Sequence, residues 1–409
     1  MDDVESARYQ PLRSNRNYLL LWIGSGISIM GGRASSLAYP LLVVSLTGSA
    51  SETGLVVFCS TLPELALYIP LAPLVDRWDW RRTMLFAELG RGVAIAALFA
   101  FLVFGDPSFF QVASLAFLES SLGVLYQLSE QRAIQSAVPP QQVAKALAAN
   151  ETRTHSAVLL GRSLSGTLFS LWSAAPFLFD AISRAVSIIA ILLTRGSYRS
   201  HKNQKFQNFF RELTEGFKWV WGDGLMRRDL ALTAGICFCA QMFIVTFVAW
   251  SDHVDISSLF VGLVIAMSGI GGVAGGLVAN FTLKRVGYRV LLIQPWLWVA
   301  NFLSPSLSFN LNAAAICIFL TSVIGAIGNV AMSSYVFERA PSTMLARVSS
   351  VRLFSTLMGA VFGPLFGGFL TARFGFEFTA GVIFATMFAI AVWATSSRTL
   401  WRTLGSTKP

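Results

Sequence analysis

A chain of 409 residues with 54% hydrophobic and 13% charged side chains carries about half of the roughly 25% charge that keeps soluble domains in water. That balance excludes two or three ordinary soluble domains. The formal net charge of +10 does not point to nucleic acid, because the basic residues gather in short clusters between apolar blocks, as membrane topology signals do.

The apolar blocks are about twenty residues long, enough to cross about 30 Å of hydrocarbon as a helix. In lipid, a helix is also what satisfies its own backbone. The pattern predicts spans over 18–46, 53–75, 83–104, 108–128, 146–172 and 176–194, then 230–250, 258–283, 288–304, 311–335, 345–370 and 376–394. The first block is long and runs straight into further spans, so it does not read as a cleavable signal. Basic residues fall on one side: Arg8, Arg13 and Arg16, then Arg77, Arg81 and Arg82, then Arg132 and Lys145. The run from Arg195 to Arg228 follows, then Lys284, Arg285 and Arg289, then Arg339, Arg347 and Arg352, and finally Arg398, Arg402 and Lys408. The alternate segments hold Arg373. This asymmetry predicts a multi-pass plasma-membrane protein with both termini and the central segment in the cytoplasm.

Within residues 195–229, Phe206, Phe209, Phe210, Leu213, Phe217 and Trp221 recur at helical spacing among Lys205, Arg211, Glu212, Glu215 and Lys218. Such a helix either lies in the membrane interface or packs under the bundle. It divides the chain into an N-terminal bundle (1–194), a linker (195–229) and a C-terminal bundle (230–409). Similar stretches recur at a near-constant interval in the two halves. Gly161–Gly166 precedes Gly363–Gly368, and Asp76–Arg81 precedes Lys284–Arg289. The expected fold is therefore an all-α integral membrane protein of twelve transmembrane helices in two pseudo-symmetric six-helix bundles.

Charges inside the membrane are the strongest functional signal. An unpaired one costs about 2.5–3.5 kcal/mol at mid-bilayer, yet the first six spans carry Arg33, Arg91, Arg162, Arg184, Glu64, Glu88, Glu119 and Asp180. Glu88 with Arg91 and Asp180 with Arg184 are spaced to meet on one helix face. Arg33, Glu64, Glu119 and Arg162 have no such neighbour. They are expected to line a central cavity in cross-helix ion pairs that make and break, with Glu64 and Glu119 carrying protons. The second half holds almost no mid-depth charge, and Gln241, Phe243, Asn301, Asn329 and Met332 are its candidate substrate contacts. The glycines at 262, 269, 271, 272, 275 and 276 read as close helix packing, not as a phosphate loop.

The segment Ala72-Pro73-Leu74-Val75-Asp76-Arg77-Trp78-Asp79-Trp80-Arg81-Arg82 resembles the signature loop between helices two and three of the major facilitator superfamily. Ala72 stands where that family usually has glycine. Gly359 with Gly363-Pro364 and Gly367-Gly368 resembles the family's glycine-proline antiporter motif, but on the eleventh span, while Arg162 stands in the fifth where proline is expected. Pro40–Val43 with Leu46–Ala50, Ala175–Ser183 and Glu212–Phe217 resemble the bacterial exporter branch that includes macrolide efflux proteins and siderophore exporters. The resemblance implies alternating access and a cytoplasmic gate at Asp76, Arg77, Arg81 and Arg82. Asp76 would face the start of the eleventh span near Arg352, and Glu130 and Arg132 are further candidate gate partners.

The expected function is proton-coupled efflux of a small amphipathic metabolite, antibiotic or siderophore. An importer or uniporter on the same fold, or a non-transporting receptor, is the alternative. Partners are a small-molecule substrate, protons and the lipid bilayer. A monomer is expected, with no nucleic acid, cofactor or metal. Cys59, Cys237, Cys239 and Cys317 lie in apolar stretches and read as small buried hydrophobes, and no nucleophile motif or metal cluster points to an enzyme.

Overall fold

The computed structural model describes residues 12–75, 77–194, 209–341 and 344–396. Among them the regular structure is helical. A short 3₁₀ turn, Leu12–Ser14, leads into α1 (Arg16–Thr47), α2 (Ala50–Val75), α3 (Trp80–Phe104), α4 (Phe109–Ala137), α5 (Val143–Leu171) and α6 (Ala175–Leu193). Then come α7 (Phe209–Gly222), α8 (Gly224–His253), α9 (Ser258–Val286), α10 (Val290–Leu307), α11 (Leu311–Arg339), α12 (Leu345–Phe374) and α13 (Phe376–Thr395). The helices α1, α3, α4, α6, α8, α11, α12 and α13, and the stretch spanning α9 and α10, are long and apolar enough to cross a membrane. The expected spans all coincide with helices, and α7 is the helix of the central segment.

Polar side chains at the boundaries set where helices begin. Asp79 caps α3 by accepting from the Arg82 amide at 2.9 Å, Asp223 caps α8 through the amides of Leu225 and Met226, and Asn310 caps α11. Each satisfies an amide that has no intrahelical partner. Pro63, Pro70 and Pro73 stand inside α2, which membrane helices tolerate where neighbours re-satisfy the freed carbonyls.

The chain forms two compact units, one from residues 1–39 and 59–204, the other from 40–58 and 205–409. Residues 40–58 group with the second unit because Gly54 of α2 lies against the Pro364 carbonyl and Gly368 of α12, and Phe58 packs on Phe362 with centroids 5.8 Å apart. The same helix pairings recur in both units. In the first, α1 meets α5, where Ser165 donates to the Ala34 carbonyl at 2.7 Å. There α3 packs on α4 and α6, and Val75 of α2 buries itself against Val124 and Leu128 of α4. In the second, α8 packs on α12, α9 on α11 and α10 on α13. Repeated pairing is how the internal sequence repeat appears in three dimensions.

Small residues permit these approaches. On α12, Gly359, Gly363 and Gly367 lie one turn apart, against the carbonyls of Ala234, Phe238 and Met242 on α8. On α9, Gly271 and Gly275 touch the Phe319 and Val323 carbonyls of α11, whereas Gly272 and Gly276 face open space. The glycine series therefore packs along one face, not throughout. The helix α7 has one sealed face and one open face. Val220 is sealed in a cluster with Leu225, Leu291, Tyr335 and Val351, while Phe217 and Trp221 stack on each other at 5.1 Å and stay 48% and 53% exposed.

Because a methyl at Gly275 would strike backbone that cannot yield, Gly275→Ala is expected to destabilise by roughly 1–3 kcal/mol, the usual range for overpacking. Gly276→Ala, into open space, should leave the protein unchanged. Thermal unfolding of the two variants in detergent checks this, and equal midpoints would contradict it.

Candidate functional site

The first unit buries a set of ionised side chains drawn from α3, α4 and α6 against the polar face of α1. Arg184 of α6 is its hub. Its Nε lies 2.9 Å from Asp180 Oδ1, and its Nη2 donates to Glu119 Oε1 of α4 at 3.1 Å. Its Nη1 donates to the Ser28 hydroxyl of α1 at 2.7 Å and lies 3.6 Å from Glu88 Oε2 of α3. Ser28 in turn donates to Glu88 Oε1 at 2.5 Å. Arg91, one turn after Glu88, donates through Nε and Nη2 to Glu119 Oε1 at 2.9 and 2.6 Å and through Nη1 to Glu88 at 3.3 Å.

Glycines on α1 make room for these groups. A side chain at Gly32 would meet Arg184 Nη2 at 2.6 Å, and one at Gly31 would strike the Ser183 hydroxyl and Asp180 Oδ1. A larger residue at either position would push these groups away from α1.

Three carboxylates and two guanidiniums carry one net negative charge when all are ionised. One added proton makes the set neutral. Because the carboxyl groups share the same guanidiniums, the proton belongs to the group rather than to one residue. Access is graded: Glu88, Asp180 and Arg184 are sealed, whereas the Glu119 and Arg91 side chains are 13% and 12% exposed. Glu119 and Arg91 thus form the accessible edge of the cluster.

The expected partners are regrouped. Glu88–Arg91 and Asp180–Arg184 do pair along their helices, and Glu119 joins both through arginines on other helices. Arg33, Glu64 and Arg162 form no ion pair among the described residues, so the expected pairing of these four does not occur. Glu119 instead takes three donors from Arg91 and Arg184 on its Oε1. Arg33 remains a charged neighbour of both Glu119 and Arg162.

A second buried pair was not anticipated from the sequence. Arg153 of α5 donates to Glu130 of α4 at 2.6 Å and to the Trp22 carbonyl of α1 at 3.2 Å. Glu130 is thus held inside its own bundle, with Arg132 half-buried nearby. The signal was present: Glu130 lies about two turns before the end of α4 and Arg153 about three turns into α5, so a short connection sets them at similar depth.

Of the expected gate, Asp76 lies outside the described residues. Arg77 is exposed. Arg81 ties α3 to the end of α6, donating to the carbonyls of Ile191 and Leu192 at 3.3 and 2.7 Å, where a cation also suits the helix terminus. Arg82 is exposed and supplies the amide that Asp79 caps. In the second unit Arg352 pairs with Asp229 at 3.3 Å and reaches Asn329 at 3.5 Å. Among the candidate substrate contacts, Phe243 packs on Phe302 and Phe309, Met332 is sealed in the α8–α11 core, and Asn301 bonds the Cys317 carbonyl and the Thr321 hydroxyl at 3.0 and 2.9 Å. Those three hold the bundle together. Gln241 is half-buried and Asn329 exposed.

Removing one member of a buried ion pair strands the other, at about 3–5 kcal/mol. Arg184→Gln is therefore expected to lower the unfolding temperature sharply, because three carboxylates lose a shared partner. Arg81→Gln, at the accessible margin, should cost far less. Melting of the purified variants tests this ordering, and a mild effect at Arg184 would show that it is not the hub.

The sequence profile of the Major Facilitator Superfamily matches residues 21–293 and 230–404. Macrolide efflux protein A of Streptococcus pyogenes is 21% identical over 202 residues, 49% of this chain and 50% of that protein. The multidrug efflux pump Tap of Mycobacterium tuberculosis is 25% identical over 237 residues, 53% of each. The chain spans about half the length of these relatives. A bacterial homologue of the iron transporter ferroportin, in its inward-facing state, superposes with a TM-score of 0.73 at 13% identity, covering 95% of this chain and all of the other. The nucleoside transporter NupG gives 0.68 at 13%, covering 93% and 98%. These likenesses show the fold, and the profile match places the chain in the Major Facilitator Superfamily, among multi-pass membrane proteins.

Proposed function

We propose that the protein is a secondary exporter of small amphipathic compounds, driven by protons entering at Glu119. The observation that carries this reading is the composition of the buried cluster: three carboxylates on two guanidiniums, one proton short of neutral, with Glu119 at its accessible edge. Likeness to a macrolide efflux protein and to a multidrug efflux pump supports the outward direction.

The chemistry follows from charge-assisted bonding, which is about twice as strong as its neutral counterpart. Ionised, Glu119 draws Arg91 and Arg184 together and ties α4 to α3 and α6. Protonated, it loses that grip, and the two guanidiniums fall back on Glu88 and Asp180. The cluster then has two arrangements that differ by one proton, and helix packing converts that difference into a bias between conformations. Water reaching Glu119 from one side at a time makes the proton move in one direction. Glu64 is a second proton carrier in this proposal, and Gln241 and Asn329 are substrate contacts. The loop carrying Arg77, Arg81 and Arg82 is the cytoplasmic gate, and the termini lie in the cytoplasm. One charge moving through 100 mV supplies about 2.3 kcal/mol, enough for a gradient of roughly fifty-fold.

The test uses protein in proteoliposomes and a panel of amphipathic compounds that includes a macrolide, read as substrate-driven proton movement. Glu119→Gln is expected to lower coupled proton flux at least about ten-fold, typical of losing a proton-transfer group, while Glu64→Gln should lower it less. Both variants should still bind substrate. Unchanged coupling in both would remove the proton role.

A further inference from the structure

We infer that Arg33 and Arg162 form a twin-guanidinium site for the oxyanion group of the transported amphiphile, so that the preferred substrates are anions such as carboxylates. This rests on the export reading and names its substrate class.

The two arginines leave α1 and α5 at one crossing point. Gly161 lies against the Met30 carbonyl, and a methyl there would come within 2.9 Å of Arg33 Cβ. One turn further, the 2.7 Å bond from Ser165 to the Ala34 carbonyl fixes the register of the same two helices. Both arginines are half-buried. Neither makes an ion pair or a hydrogen bond among the described residues. The charged side chain acting on Arg162 is Arg33 itself, so the two repel each other.

Glu119, which attracts Arg33, and most of the other carboxylates of the unit are bonded to other arginines. Glu119 gives its Oε1 to three donors of Arg91 and Arg184, Glu130 is taken by Arg153, and Asp180 and Glu88 lie sealed against Arg184. Glu64 forms no ion pair among the described residues. Two arginines without a bonded acid, in a bundle that pairs its other buried arginines with acids, leave guanidinium donors that a ligand can take up. The planar fork of arginine matches an oxyanion with two parallel bonds.

The anion could also belong to a lipid headgroup, and the experiment separates the two. Wild-type protein in phosphatidylcholine nanodiscs is titrated with 2-naphthoate, and with 2-naphthamide as its uncharged isostere, following tryptophan fluorescence. Naphthoate is expected to bind at least about ten-fold more tightly, the scale of a hydrogen bond to a charged group. Arg33→Gln and Arg162→Gln should each abolish that preference while amide binding persists, and Arg162→Lys should retain part of it. Melting curves establish that the variants are folded, and the wild-type comparison stands without them. Equal binding of acid and amide by the wild type, or preference for a cationic naphthylmethylamine, would overturn the inference while leaving proton-coupled export untouched. Repeating the titration with phosphatidylglycerol present should leave the preference intact. Its loss there would give the site to a lipid headgroup and overturn the substrate assignment.

Discussion

The cost of placing charge in hydrocarbon governs this protein. A soluble bundle could scatter ionised groups over its surface. A membrane bundle must cancel those it seals away, and cancellation requires a partner at hydrogen-bond distance and a backbone thin enough to admit it. The hub at Arg184 meets both demands. Asp180 comes from its own helix, Glu88 and Glu119 come from α3 and α4, and Ser28 with Gly31 and Gly32 turns the polar, narrow face of α1 toward it. The arrangement fixes how α1, α3, α4 and α6 pack before any apolar contact is considered.

The two units solve the packing problem with the same helix pairs but different chemistry. In the second, close approach relies on glycines against carbonyls, as on α12 against α8 and α9 against α11, and its polar side chains serve as internal bonds. The first gives up some of that economy to hold a charged network. Such a network is high-stakes because each half-satisfied member is costly.

How much of this was legible in the sequence depended on range. Helix positions were legible because apolar blocks of membrane length leave few alternatives, and the linker helix because its aromatic residues repeat with helical period. Local pairs at three and four residues, Glu88 with Arg91 and Asp180 with Arg184, could be read from spacing alone. What spacing does not encode is which helix faces which. Glu119 therefore looked solitary, although it joins both pairs, and Arg153 with Glu130 escaped notice because the partners come from different helices. Phe243, Asn301 and Met332 looked like substrate contacts for the same reason: the sequence gives residue type and depth, but not whether a side chain turns inward to a neighbouring helix.

The central claim is that the cluster around Arg184 takes up and gives back one proton at Glu119. Infrared difference spectroscopy of the protein in lipid, stepped in pH and then exposed to substrate, measures this directly through the carbonyl stretch of a protonated carboxyl group. The account predicts one such band that appears on acidification, is lost on substrate binding, and is missing in Glu119→Gln. A cluster whose carboxyl bands do not respond to substrate, or whose response persists in Glu119→Gln, would contradict it.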